Sequence, residues 1–207
     1  FGDEIDERYN GEYEPGDKFR LEVDYTQFVK LQLDPTLAAS IVYIPDGIFE
    51  FAVPMGEELR ACYHPDAFKG DSHRIRCSEP DEAEIYSDRL ISLNSHDRHN
   101  VPKYFPHAVA NFVTREEPCF FERNAIDGVC NNSSHGRYPY HSWGGGLRED
   151  LEFEVQFGAP CEVSEVTIFI RADFPHDTYW KECVLEFSDG TSIHKELIGT
   201  AEGQVVT

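Results

Sequence analysis

Residues 41–53 read IVYIPDGIFEFAV and contain two short apolar runs on either side of Pro45-Asp46-Gly47. Both runs are rich in β-branched and aromatic residues, which favour strands. An Asp-Gly pair between two such runs is a strong signal for a β-hairpin. This stretch therefore predicts two strands that pair with each other through a tight turn.

The strand pattern continues on both sides of this stretch. Apolar and polar residues alternate, as in half-buried strands, or form short strand-like runs, in residues 19–23, 28–33, 73–77, 151–157, 163–170, 183–187 and 191–194. Strands at this spacing predict an all-β chain, built as a β-sandwich or jelly roll. The acidic residues 1–17 predict a solvated arm or a first edge segment. For residues 81–93, a short helix and a further strand both remain open.

One polar segment suggests how the chain is divided. Residues 94–106 have few apolar members, which predicts a loop and the best candidate for a domain boundary. We therefore expect an N-terminal β-rich region of residues 1–100 and a second domain of residues 101–207. The first region is expected either to form its own sandwich or to extend the second.

The charge of the chain limits its partners. Its 207 residues include 39 Asp and Glu against 18 Lys and Arg, for a net charge of −21. Nucleic acids and anionic membrane surfaces would be repelled, so neither is an expected partner. The expected partner is neutral, cationic or reached through a bound metal ion. Residues 135–141 contain Arg137 and no carboxylate, so a single acidic sugar remains permitted.

The cysteines and the first residues bear on the compartment. None of the six cysteines forms a C-x-x-C pair, which argues against a zinc knuckle or a redox motif. We expect free, buried thiols, with three disulfides as the alternative. The acidic first residues lack the basic start and apolar middle of a signal peptide. Together these features slightly favour the cytoplasm, and no apolar run approaches the ~20 residues of a membrane span.

Three motifs in the second half occur in a recognisable order. They are Asn124-Ala125-Ile126-Asp127-Gly128, then Ser142-Trp143-Gly144, then the two strand patterns of residues 151–170 around Phe157-Gly158. Together they resemble the discoidin-like, or galactose-binding-like (F5/8 type C-like), jelly roll of many bacterial carbohydrate-binding modules. The resemblance implies such a jelly roll in residues 101–207, without its last one or two strands.

Two loops carry the candidate ligand-binding residues. Residues 135–143 and 171–180 combine Arg, Asp and His with aromatic rings, and such groups bind sugar hydroxyls and stack on sugar faces. We expect a carbohydrate site, with Arg171 and two Asp on hydroxyls and an exposed Tyr stacking, formed by His135, Arg137, Tyr138, Arg171, Asp173, His176 and Asp177. The structural alternative is that residues 171–180 form an ion-paired loop, in which Arg171 pairs with Asp173 or Asp177, and that Trp143 and Trp180 lie in the core.

Two other function classes remain open. A small glycan-active enzyme would use the same loops. A hydrolase would need Asp173 and Asp177 around the bond, and a lyase would use His176 or Tyr138 as base, with Arg171 neutralising a uronate. A structural module that docks through its N-terminal half is the third class. The oligomeric state is left open, and no organic cofactor is expected.

Two metal sites are also conceivable. The resemblance implies a structural Ca²⁺ held by Asp127, with oxygens of Asn124 and of Asn132 or the neighbouring Ser133. The alternative is that Asp127 caps its own turn. His96, Asp97 and His99, with His107 nearby, have the residue types of a transition-metal site, although a polar loop is the default interpretation.

Overall fold

The computed structural model describes residues 4–25, 27–171 and 178–207. Antiparallel strands predominate and the helices are few and short, which confirms the all-β prediction. The chain divides into two compact units, one of residues 1–129 with 136–160, the other of residues 130–135 with 161–207. The predicted boundary between residues 100 and 101 lies inside the first unit. Among the described helices, none is long and apolar enough to cross a membrane.

The first unit contains three antiparallel sheets. Its described strands are β1 (Glu4–Asn10), β2 (Lys18–Glu22), β3 (Gln27–Gln32), β4 (Ser40–Ile44), β5 (Ile48–Ala52), β6 (Ser72–Ser78), β7 (His107–Ala110) and β8 (Phe153–Gln156). One sheet has the order β1-β6-β3-β4, and the pairs β2-β5 and β7-β8 form the other two. The acidic N-terminal segment is therefore an edge strand, one of the two forms expected for it.

Short helices connect these strands. They are α1 (Gly56–Cys62), α2 (Glu82–Tyr86) and 3₁₀ turns at Thr114–Glu116, Pro118–Phe120 and Glu122–Ala125. Helix α2 decides between the two structures left open for residues 81–93. Asp81 accepts a hydrogen bond from the Glu84 backbone N–H, and the Glu84 side chain accepts one from Asp81 N–H. This capping box is a strong local signal for a helix start.

The apolar core of the first unit comes from alternate residues of three strands. On these strands, the apolar residues that are at most 2% exposed are Val29, Leu31, Val42, Ile44, Phe49 and Phe51. They come from β3 and β4 of the four-stranded sheet and from β5 of the β2-β5 pair, so both sheets bury one face in one core. Burying a side chain such as Phe51 contributes ~2–3 kcal/mol to folding.

The hairpin prediction at residues 41–53 is wrong. Strand β4 pairs with β3, and β5 pairs with β2, so the two apolar runs belong to different sheets. Gly47 has a φ of +69°, and its carbonyl accepts the Val23 N–H at 2.8 Å. An Asp-Gly pair specifies a tight turn but not the partner of the strands it joins. The turn therefore leads from one sheet to the other. Both runs have an apolar face, and each face is buried in the core from its own sheet.

The second unit is smaller. Its described strands are β9 (Val166–Ile168), β10 (Glu182–Glu186), β11 (Ser192–Glu196) and β12 (Gln204–Val206). Strands β10 and β11 form a hairpin around the predicted turn at residues 188–190, and β12 pairs with β9. Strands β8 and β9 of the quoted motif belong to different units and pair with β7 and β12. The discoidin-like jelly roll therefore stays a prediction.

The cysteines follow the expectation in part. Free thiols are found at Cys62, Cys77, Cys119 and Cys183. Burial raises the pKa of Cys62 to about 12 and that of Cys77 to about 11, so both are protonated at neutral pH. Cys62 is buried and Cys77, Cys119 and Cys183 are half-buried, whereas Cys130 and Cys161 are exposed, so the expectation of buried cysteines is wrong at these last two positions.

Candidate functional site

The predicted sugar-binding residues fall into three groups. Arg137 and Tyr138 belong to the first unit, and His135 and Arg171 belong to the second. The remaining three, Asp173, His176 and Asp177, lie outside the described residues. Of the predicted residues, Arg137 and Tyr138 therefore belong to one unit and lie next to each other in the chain. The nearby Trp143, expected in the core, is half-buried and packs on Phe153, whereas Trp180 is exposed rather than in a core.

Tyr138 is held against helix α1. Its backbone N–H donates to the Ala61 carbonyl at 2.7 Å. Its ring, half-buried, stacks on His141 and meets His64 edge-on, each with ring centroids 5.5 Å apart. Arg137, exposed, pairs with Glu57 at 2.8 Å. Hydrogen bonds from Arg60 and Arg137 hold the pKa of Glu57 below its usual value.

Residues 94–97 are irregular, as predicted, but they are not a solvated loop. Asn94, Ser95, His96 and Asp97 are all at most 2% exposed. Short polar side chains replace strand hydrogen bonds here, because Ser95 N–H donates to Ser40 Oγ and Asn94 Nδ2 donates to the Pro106 carbonyl. We call these residues, together with His107, 122–124, Asp127 and His141, the polar interior.

His96 is a structural acceptor within the polar interior. Its Nε2 accepts the Leu33 N–H at 3.2 Å, and its Nδ1 lies 3.1 Å from Ser95 Oγ. Burial, with a smaller contribution from Arg123, lowers its pKa to about 3. The ring is therefore neutral at physiological pH, and both of its nitrogens are engaged within the chain.

The other histidines of the proposed transition-metal site have separate partners. His107 Nδ1 lies 2.7 Å from Asp97 Oδ1, and burial raises the pKa of Asp97. His99 stacks on Phe121 and lies 2.8 Å from the Glu122 carboxylate. Burial opposes ionisation of Glu122, but the His99 contact and backbone hydrogen bonds still lower its pKa. Within the described ranges, no group of three or more His, Cys, Asp or Glu residues has metal-site geometry.

Asp127, the expected calcium ligand, is surrounded by donors of the chain itself. Its Oδ1 accepts the Val129 N–H at 2.9 Å, which is the turn-capping alternative. Its Oδ2 lies 2.6 Å from His141 Nε2 and 3.6 Å from Arg123 Nη1. A carboxylate already hydrogen-bonded and next to a guanidinium is a poor ligand for a hard cation.

The other two expected calcium ligands have hydrogen-bond partners of their own. Asn124 Oδ1 accepts a hydrogen bond from Arg123. Asn132 belongs to the second unit and donates to the carbonyls of Ile170 and Ala201. This donor set does not fit a calcium ion, and calcium stays a prediction that rests on the resemblance alone.

Arg123 is the most deeply buried cation of the first unit that the structure describes. It is 1% exposed, and its Nη1 and Nη2 donate to Asn124 Oδ1 at 3.1 Å and to the Ser95 carbonyl at 3.2 Å. Its guanidinium lies over the Tyr63 ring at 5.1 Å. Among the described residues, neither Arg123 Nε nor the Tyr63 hydroxyl finds a hydrogen-bond partner. Buried donors without acceptors cost folding free energy, ~1–3 kcal/mol each.

Arg123 and Tyr63 both line one cavity of about 140 Å³. Its polar and aromatic lining includes Tyr63, His64, Ser95, Arg123, Asp127 and Tyr138. The cavity therefore combines two tyrosine rings with a buried guanidinium, a carboxylate and a serine. All of its lining residues belong to the first unit.

Two residues of this cavity were singled out by the sequence, Tyr138 as a sugar-binding residue and Asp127 as a calcium ligand. Arg123 lies in the run Cys119-Phe120-Phe121-Glu122-Arg123, and a charged pair directly after an apolar run is a weak signal for a buried ion. For Tyr63 and His64 no comparable signal exists, because they line the cavity only through the position of the C-terminal end of α1, which they directly follow. No family model, no curated protein and no solved structure matches the chain.

Proposed function

We propose that the protein binds a carbohydrate in the cavity beside Tyr138. The observation that carries this proposal is that an aromatic ring from a predicted sugar-binding loop lines the same cavity as Arg123 and Asp127. Aromatic faces stack on the C–H groups of a sugar ring, and guanidinium and carboxylate groups fix its hydroxyls. The motifs that resemble carbohydrate-binding modules support the same function.

The size of the cavity favours a small ligand group. A cavity of about 140 Å³ is close to the ~150 Å³ that holds one benzene ring in an engineered protein interior. One sugar ring, or part of it, is therefore the unit recognised, and the rest of a longer glycan would extend into solvent. Arg137 is exposed, lies next to Tyr138 in the chain and pairs with Glu57, and it could exchange this partner for such an outer contact.

Two groups of the cavity that could react as nucleophile or base are held protonated. The pKa of the Cys62 thiol and that of the Tyr63 hydroxyl are each raised to about 12, chiefly by burial. At neutral pH neither group is a thiolate nucleophile or a phenolate base.

Replacement of Tyr138 tests this proposal. The wild-type chain is first screened on a glycan array, and the affinity for the best sugar is then measured by calorimetry. We expect Tyr138→Ala to lower this affinity about tenfold or more, because a stacking contact is worth ~1.4 kcal/mol. Tyr140→Ala is the matched control, since Tyr140 is a half-buried tyrosine of the same loop that does not line the cavity.

Two results would contradict the proposal. One is a wild-type chain that binds no sugar on the array. The other is a Tyr138→Ala variant that binds as tightly as the Tyr140→Ala control.

A further inference from the structure

Two overlapping sequence motifs lie in the segment of residues 130–135. Asn131-Asn132-Ser133 and Asn132-Ser133-Ser134 both have the pattern Asn-x-Ser, whose first residue accepts an N-linked glycan in a eukaryotic secretory pathway. No other Asn of the sequence is followed two residues later by Ser or Thr. The pattern alone does not distinguish the two asparagines.

Asn132 is tied into the second unit. It is half-buried, and its Nδ2 donates to the carbonyls of Ile170 and Ala201, both at 2.8 Å. Both protons of this amide are therefore engaged. The two bonds hold residues 130–135 against the chain shortly after β9 and shortly before β12.

Asn131 lies on the surface. It is exposed, as is Ser133, and the segment has no regular secondary structure at these positions. An exposed amide in an irregular segment accepts a bulky polar substituent readily, because the substituent extends into solvent. The structure thus separates two neighbouring residues that the motif treats alike.

We infer that Asn131, and not Asn132, is the N-glycosylation site of this chain when it is made in a eukaryotic secretory pathway. The co-reactant is a lipid-linked oligosaccharide diphosphate, which that pathway supplies. The Asn131 Nδ2 atom forms a bond to C1 of the first sugar, and the C1–O bond to the diphosphate breaks. The lipid diphosphate leaves with the electron pair of that bond, and Nδ2 loses one proton to the solvent.

The same transfer at Asn132 conflicts with its contacts. It would remove one of the two amide protons, and with it one of the hydrogen bonds to Ile170 and Ala201. The sugar carbon would also take the place of that proton, between Nδ2 and a carbonyl oxygen only 2.8 Å away. The folded chain therefore has room for a glycan at Asn131 and none at Asn132.

Two serine variants separate the motifs. The full chain is expressed in eukaryotic cells behind a cleavable secretion signal, and the secreted protein is treated with a glycan-releasing amidase. We expect one glycan on the wild type, with peptide mapping showing the converted asparagine at position 131. Ser133→Ala removes only the Asn131 motif and should abolish the glycan. Ser134→Ala, the matched control, removes only the Asn132 motif and should retain it.

Three results would overturn the inference. One is a wild-type chain that carries no glycan. The second is a glycan that survives in Ser133→Ala, and the third is a glycan that is lost in Ser134→Ala, because either result assigns it to Asn132.

The structural half of the inference has a test that needs no secretion. The unglycosylated chain is produced in bacteria and its Tm is measured by differential scanning calorimetry. Asn132→Ala removes two hydrogen bonds and should lower the Tm by about 2 °C or more, whereas Asn131→Ala should leave it within about 1 °C. Equal Tm values for the two variants would show that the fold does not distinguish the asparagines, and the inference would be wrong.

Discussion

The apolar core and the polar interior of the first unit both consist of fully buried side chains, but they are built differently. In the apolar core, regular strands place alternate residues such as Val42 and Phe51 inside, and the ladder satisfies the backbone. In the polar interior, the buried residues lie in irregular segments instead of strands. Backbone groups there form hydrogen bonds with side chains, as between the Pro106 carbonyl and Asn94 and between the Ser95 N–H and Ser40.

The two regions are expected to affect different properties of the protein. The strand residues of the apolar core do not titrate, so their contribution to stability does not depend on pH. The polar interior holds ionisable groups such as His96 and Asp97, and it is also where Arg123 Nε has no hydrogen-bond partner among the described residues. We therefore expect mutations of the apolar core to change stability at every pH, and those of the polar interior to change pH dependence or ligand affinity.

The largest effect is expected in the apolar core. Phe51→Ala should lower the free energy of unfolding by about 3–5 kcal/mol, because Phe51 is 0% exposed and packs on Phe19 and Phe68. Urea unfolding at pH 7 and pH 5 should give the same loss. Phe28→Ala is the control, since Phe28 is half-buried against Tyr43 and should cost less than half as much. Equal costs for the two variants would show that the assigned core is wrong.

The polar interior should make stability depend on pH through His96. Its pKa is about 3 in the folded state and ~6.5 when unfolded, so the folded state binds fewer protons between these values. Stability is therefore fully present above pH 6.5 and is lost as the pH falls, by ~1.4 kcal/mol per unit, or about 2 kcal/mol at pH 5. Urea unfolding at several pH values measures this slope.

Two variants isolate the contribution of His96. The raised pKa of Asp97 has the opposite sign, because its folded state takes up a proton more readily than the unfolded state. A comparison of variants is thus more informative than the wild-type curve. His96→Gln should lose most of the slope, whereas replacement of the exposed His194 by Gln should retain it. A slope unchanged in His96→Gln would rule out a neutral, buried histidine.

The smallest effect is expected from metal removal. Because Val129 and His141 already occupy the Asp127 oxygens, treatment with EDTA should change the Tm by less than about 1 °C. Differential scanning calorimetry with EDTA and with millimolar Ca²⁺ measures this change. A rise of several degrees with Ca²⁺ that Asp127→Asn abolishes would show that the polar interior does bind the ion.

The strands of the apolar core were predictable because alternation is a local property. Residues 28–33 alternate in the sequence, and β3 covers Gln27–Gln32 with Val29 and Leu31 inside. The turn at Gly47 was equally predictable, but the pairing of the strands beside it was not. Each of those strands has a partner distant in sequence, and the choice depends on which faces meet in the core.

The candidate site was predictable only in fragments. Tyr138 was expected as a ligand residue and lines the cavity, whereas Arg123 and Tyr63 were not expected at all. Residues 94–97 have the composition of a solvated loop, and nothing local distinguishes a buried polar segment from an exposed one. Their burial follows from partners such as Ser40 and Pro106, which are supplied by other parts of the chain.

The sequence by itself therefore determined that this is an acidic, strand-rich chain with its turns near Gly47 and Gly190, because alternation, composition and turn chemistry act over a few residues. Only the tertiary structure decided which strands pair and that a guanidinium, a carboxylate and two tyrosines surround one cavity. Burial and hydrogen-bond partners depend on distant segments, and they turn the same polar residue types into either a solvated surface or the lining of a cavity.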